Sequence, residues 1–129
     1  ARCRREPRVQ QVIASINATY KEIVLANDRG AYIQDTQPML RVSISVVVKN
    51  PNGGMEKASS GFGGRSDHTS LSTKRIHMVC DDVVRMALLL CDAQPAPAGK
   101  FSVVLGSGWP GILFHEAVGH GLEADFNPT

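Results

Sequence analysis

The segment His115-Glu116-Ala117-Val118-Gly119-His120 brings two imidazoles and a carboxylate together in a short stretch of chain. Those residue types suit metal-assisted hydrolysis. A hydrolytic zinc site needs neutral imidazole ligands, an open coordination position for water and a nearby carboxylate. The ion brings the pKa of its water down to ~7. The carboxylate takes a proton from that water and passes it to the leaving amine. His115 and His120 are therefore candidate metal ligands, and Glu116 is the candidate general base.

The spacing constrains how the chain must fold here. In the familiar H-E-x-x-H pattern the histidines stand four apart, and a helix of ~3.6 residues per turn places them ~40° apart on one face. His115 and His120 stand five apart. On a regular α-helix they would point ~140° apart and could not share an ion. The helix must therefore widen to an i→i+5 turn or unwind before His120. Gly119 suits either outcome, because glycine tolerates unusual backbone angles and π-bulges concentrate at functional sites.

The bland alternative is two unrelated surface histidines at a helix end. Context favours the site. Two of the four histidines fall here. The preceding Ile112-Leu113-Phe114 run predicts a buried or cleft position. Glu123 and Asp125 follow closely as partners that can orient a ligand. A zinc site needs at least a third protein ligand. Glu123 is the local candidate, and a ligand from sequence outside this chain is equally admissible. His68 and His77 read as ordinary histidines, the first in a polar loop and the second beside a helix stripe. Cys3, Cys80 and Cys91 lack CxxC spacing. Cys80 and Cys91, ~16 Å apart along one helix, cannot bridge, so free thiols are expected.

The elements that carry the motif can be read from patterning. Residues 9–16 are ambiguous between strand and helix. Thr19 to Ala26 predicts a strand, Asn27-Asp28-Arg29-Gly30 a turn and Ala31 to Gln34 a returning strand, with Pro38 as a break. Leu40 to Lys49 alternates, with Leu40, Val42, Ile44 and Val46 on one face and Arg41, Ser43 and Ser45 on the other. Asn50-Pro51-Asn52-Gly53-Gly54 closes a hairpin. The returning segment runs into Gly61-Phe62-Gly63-Gly64-Arg65. Gly61, Gly63 and Gly64 read either as a flexible bend or as a backbone surface that hugs a substrate. Ser72 to Ala93 predicts a long amphipathic helix, with Ile76, Val79, Cys80, Val83, Ala87 and Cys91 on its stripe. Gln94 to Gly99 reads as a Pro-rich linker, Phe101 to Leu105 as a short buried strand, and Pro110 to about Gly119 as the motif helix.

The chain has 129 residues, 43 % hydrophobic and 20 % charged, which suits one globular domain with a real core. A net charge of +2 gives no argument for a nucleic-acid partner. No apolar run reaches the ~20 residues of a membrane span. The expected class is α+β: an antiparallel sheet packed with the long amphipathic helix and a short motif-bearing helix. Residues 1–70 are read as strands and hairpins. Residues 71–129 are read as helix, short strand and metal-motif helix. Together they are expected to form a single domain cut from a longer protein.

The stretch from Gly106-Ser-Gly-Trp-Pro-Gly-Ile-Leu-Phe-His-Glu to Ala-Asp-Phe-Asn127 resembles the TldD branch of the TldD/PmbA peptidases, also described as modulators of DNA gyrase. Ser59 to Arg65, Ala96 to Gly99 and Val103 to Gly106 are similar to that family too. The resemblance implies a cytoplasmic zinc metallopeptidase acting on small or unfolded peptides. It implies pairing with a homologous PmbA/TldE-like subunit that lacks H-E-x-x-x-H. By the motif match His115 and His120 would hold zinc, and Glu116 would be the base. The family's third ligand, a cysteine among glycines far toward the C-terminus, matches none of Cys3, Cys80 and Cys91. The ending Asn127-Pro128-Thr129 departs from the family's basic, glycine-containing continuation. A non-catalytic fragment or binding subunit keeping the fold without metal is the alternative, and a metal-dependent hydrolase acting on something other than peptides is a third.

Overall fold

A computed structural model describes residues 2–125. The ending Asn127-Pro128-Thr129 lies outside the described residues. The chain forms two compact units, one up to Gln94 and one from Pro95.

The first unit is a three-stranded antiparallel sheet in the order β1-β2-β3, covered by a helix. The strands are β1 (Val9–Ala26), β2 (Tyr32–Lys49) and β3 (Met55–Gly64), and the helix is α1 (Thr73–Cys91). The alternation read in β2 sets the layers. Leu40, Val42, Ile44, Val46 and Val48 are buried, while Arg41 and Lys49 between and beyond them are exposed. Across from this row, Val12 of β1 pairs with Val46, and Ala58 of β3 pairs with Val46 from the other side. Side chains on alternate positions share a face, so these three form one apolar layer. On the opposite face the Ser45 and Ser59 hydroxyls meet at 2.7 Å.

Helix α1 covers the apolar layer over β2 and β3. Its buried side chains, Val79, Cys80, Val83 and Ala87, recur at helical steps of one to four, so they line one side. Val46, Val48 and Val83 are fully enclosed. Burying each such side chain contributes about 1.5–3 kcal/mol. Local contacts fix the helix in place. The Ser72 hydroxyl caps its start by accepting from the Arg75 amide at 3.2 Å. The Asn50 side-chain amide donates to the Cys91 carbonyl at 3.2 Å, satisfying one of the end carbonyls that a helix leaves open. Ser60 donates to Asp82 at 3.0 Å, and the Arg75 guanidinium lies 4.2 Å from the Phe62 ring centroid.

Both hairpins of the sheet turn through glycines in the left-handed region, Gly30 at φ 80° and Gly53 at φ 88°. In the first turn the Asn27 side-chain oxygen accepts from the amides of Arg29 and Ala31. The first hairpin is longer than the sequence predicts. β1 begins at Val9, which resolves the ambiguous stretch 9–16 as strand, and β2 passes straight through Pro38. β3 pairing ends where Leu40 meets Gly64. At Pro38 β2 therefore has a strand on one side only, and a residue without an N–H is tolerated at such an edge.

Cys3 is buried in the same core as α1, although its place near the chain start gives no sequence signal for that. Its thiol faces the Cys80 carbonyl at 3.9 Å. Burial, together with the neighbouring Cys80 thiol, pushes the Cys3 thiol up to about 11. Arg2 anchors the same segment through a two-pronged contact with Asp81, at 2.5 and 2.7 Å. Cys3, Cys80 and Cys91 are all free, as their spacing predicts.

The second unit contains α2 (Pro110–Phe114), a π-turn at His115–Gly119 and a 3-10 turn at His120–Leu122. Pro110 stands at the helix start, where its missing N–H costs nothing. Phe101 to Leu105 is not the short buried strand expected of it. It is irregular, and Val104 is 99 % exposed. Among the described residues of this unit there is no other strand for it to pair with, and a lone strand leaves its backbone groups unpaired. Leu113 and Phe114 are likewise exposed rather than buried.

Candidate metal centre

The π-turn is the local distortion that the five-residue spacing demands. The His120 amide donates to the His115 carbonyl, an i→i+5 bond that inserts one extra residue into the turn. This widening brings His120 back over His115. Their ring centroids lie 4.6 Å apart, in a T-shaped arrangement with the planes 61° apart. The surroundings differ from the expected buried cleft: His115 is exposed and His120 half-buried. The apolar run expected to enclose them, Ile112 to Phe114, is itself half exposed.

The carboxylates flank His120 on both sides. Glu116 Oε2 lies 3.2 Å from Nε2 of His120, and Glu123 Oε1 lies 3.2 Å from Nδ1. One ligand atom from each of His115, His120 and Glu123 falls within 4.8 Å of the others. In a tetrahedral zinc site with ligands ~2.1 Å from the ion, neighbouring ligand atoms stand ~3.4 Å apart. The donor atoms lie within 4.8 Å of one another, on side chains that are exposed or half-buried rather than locked in a core. The nitrogen and oxygen donors suit a borderline divalent ion such as zinc. The residues present therefore fit a metal ion, with Glu116 beside it.

Gly61 and Gly63 lie in the first unit, inside β3, opposite Ser43 and Arg41. Neither forms a flexible bend. A Cβ on Gly61 would collide with the Val42 carbonyl oxygen, and one on Gly63 would stand 2.6 Å from the Leu40 carbonyl oxygen. The close approach of β2 explains both glycines. Gly64 has open space around it and ends the strand. A surface groove of about 540 Å³ runs between the Arg2–Glu6 segment and α1, past Cys3, Cys80 and Leu88, and none of the motif residues lines it. His68 and His77 join no metal-ligand cluster among the described residues.

The π-turn thus gathers two imidazoles and two carboxylates that could hold a metal ion, and comparison with known proteins supplies the family. The family described as the PmbA/TldA metallopeptidase central domain matches residues 1–90. A metalloprotease TldD homolog of Buchnera aphidicola (subsp. Schizaphis graminum) is 44 % identical over 127 residues, 93 % of this chain and 26 % of that protein. The metalloprotease TldD homolog of Haemophilus influenzae is 44 % identical over 125 residues, with the same coverage. A metalloprotease of Methanocaldococcus jannaschii is 54 % identical over 39 residues, 30 % of this chain and 9 % of that protein. No solved structure matches. The chain belongs to the PmbA/TldA metallopeptidase family. It spans about a quarter of the length of the TldD homologs it matches.

Proposed function

We propose that this chain carries the His-Glu-His part of a zinc-dependent peptidase whose substrates are small or unfolded peptides. The observation that carries this reading is the π-turn, which sets His115 and His120 ring to ring with Glu116 alongside. His115 and His120 hold the ion. Glu123, whose Oε1 lies 3.2 Å from Nδ1 of His120, would orient that ring or join the ligand set. Glu116 lies on the Nε2 side of the ring, where it takes a proton from the attacking water and returns it to the leaving amine. A bound zinc ion supplies Lewis acidity, polarising the peptide carbonyl and acidifying water.

Two histidines and a base do not complete a zinc site, so a further ligand comes from the remainder of a longer chain. The share of the relatives that this chain covers supports that arrangement. The close approach of β2 accounts for Gly61 and Gly63 by strand packing, and Gly64, with open space around it, is the glycine of the three left to meet a substrate backbone. A cytoplasmic location and a homologous PmbA/TldE-like partner subunit belong to the same reading. Among the described residues no helix is long and apolar enough to cross a membrane.

Metal removal tests the reading. The full-length protein, dialysed against a chelator, is expected to lose peptide hydrolysis and to regain it on adding zinc. Hydrolysis that persists undiminished after the metal content has fallen to background would refute the zinc assignment.

A further inference from the structure

The fifth residue of the motif raises a question that its backbone does not answer. Gly119 has φ −59° and ψ −47°, ordinary right-handed helical angles that any residue adopts. Unusual backbone freedom is therefore not why glycine stands there, contrary to what the sequence suggests. Its surroundings supply the reason. Helical Cα–Cβ bonds lean toward the N-terminus, so a side chain at 119 would aim at residue 115. A Cβ built on Gly119 stands 3.1 Å from Nδ1 of His115 and 3.5 Å from its Cγ. Those are the ring atoms of a candidate ligand whose centroid lies 4.6 Å from the His120 ring. Gly121, two residues on, has open space where its Cβ would be.

We propose that Gly119 is a positioning residue of the metal site: its missing side chain reserves the space in which the His115 imidazole sits beside His120. The inference rests on the reading of His115 and His120 as ligands. Because His115 is exposed, its ring can swing away from an added methyl group without disturbing a core. The fold then tolerates the substitution, and the cost falls on metal binding, which needs the ring where it now lies. Alanine also favours helix over glycine. The two effects of Gly119→Ala thus run in opposite directions, which a merely structural role for the glycine would not produce.

The test compares wild type, Gly119→Ala, Gly119→Ser, Gly121→Ala and His115→Ala in the full-length protein. Zinc affinity is measured by competition with a chromophoric chelator, and Tm is measured on the metal-free protein. Gly119→Ala and Gly119→Ser are expected to bind zinc about tenfold or more weakly. Gly119→Ala should melt no lower than wild type, and Gly121→Ala should keep wild-type affinity. Wild-type affinity in Gly119→Ala, or a weakened affinity accompanied by a lowered Tm, overturns the positioning role while leaving the metal site standing. If instead His115→Ala binds zinc as tightly as wild type, the ligand assignment fails, and the role of Gly119 falls with it.

Discussion

Glu116→Gln is expected to retain the metal and to lose peptide hydrolysis by a factor of about 10²–10⁴, the contribution typical of a positioned general base. The substitution keeps the shape of the side chain and removes its ability to accept a proton. Glutamine at 116 can still stand near Nε2 of His120, which Glu116 approaches to 3.2 Å. The lost factor corresponds to about 3–5 kcal/mol of barrier. Steady-state kinetics on a small peptide, with zinc content measured on the same preparation, separates the possibilities. Unchanged kcat in a zinc-loaded variant would remove Glu116 from the proton transfer. Lost zinc together with lost activity would mean that Glu116 serves the metal rather than the water.

The largest expected effect on stability lies in the other unit. Val83 sits at the centre of the buried side of α1 and is fully enclosed against the sheet. Val83→Asp would place a carboxylate among Val46, Val48 and Ala87, and among the described residues no buried polar or charged residue is available to pair with it. An unpaired buried charge is among the few mechanisms that cost about 4 kcal/mol or more. Domains are stable by only about 5–15 kcal/mol. The variant is therefore expected to be largely unfolded at room temperature, as read by circular dichroism and denaturant titration. A cooperative transition at the wild-type midpoint would show that α1 does not close the core in this way.

Legibility from sequence followed the strength of local constraint. The β2 faces were plain because alternation from Leu40 to Val46 admits one register with the core, and the buried row is the one that alternation selects. α1 was plain for the same reason at helical spacing, down to its Ser72 cap. The distorted turn at His115–Gly119 was legible because five-residue spacing leaves two histidines on a regular helix unable to meet. Where constraint came from elsewhere in the fold, local patterns misled. Much of β1 has exposed side chains, so no alternation marks it, and its strand character comes from pairing with β2 along nearly its whole length. Pro38 looked like a break because sequence does not reveal that β3 ends two residues away in register. Gly61 and Gly63 looked flexible because nothing local announces how closely β2 runs beside them. Phe101 to Leu105 has strand composition but no strand to pair with in its unit. Gly119 was read for its backbone freedom, yet it has ordinary helical angles, and the space around a residue cannot be seen from its neighbours in sequence.

All of the proposed chemistry depends on a metal ion held by two histidines five residues apart. Zinc stoichiometry of the purified full-length protein addresses this most directly, measured by plasma mass spectrometry for wild type, Glu116→Gln, His115→Ala and His120→Ala. The expected result is about one zinc ion per chain in wild type and Glu116→Gln, and background levels in both histidine variants, since a site of this kind needs three protein ligands. Zinc retained at the wild-type level in His115→Ala and His120→Ala would contradict the assignment of these residues as its ligands.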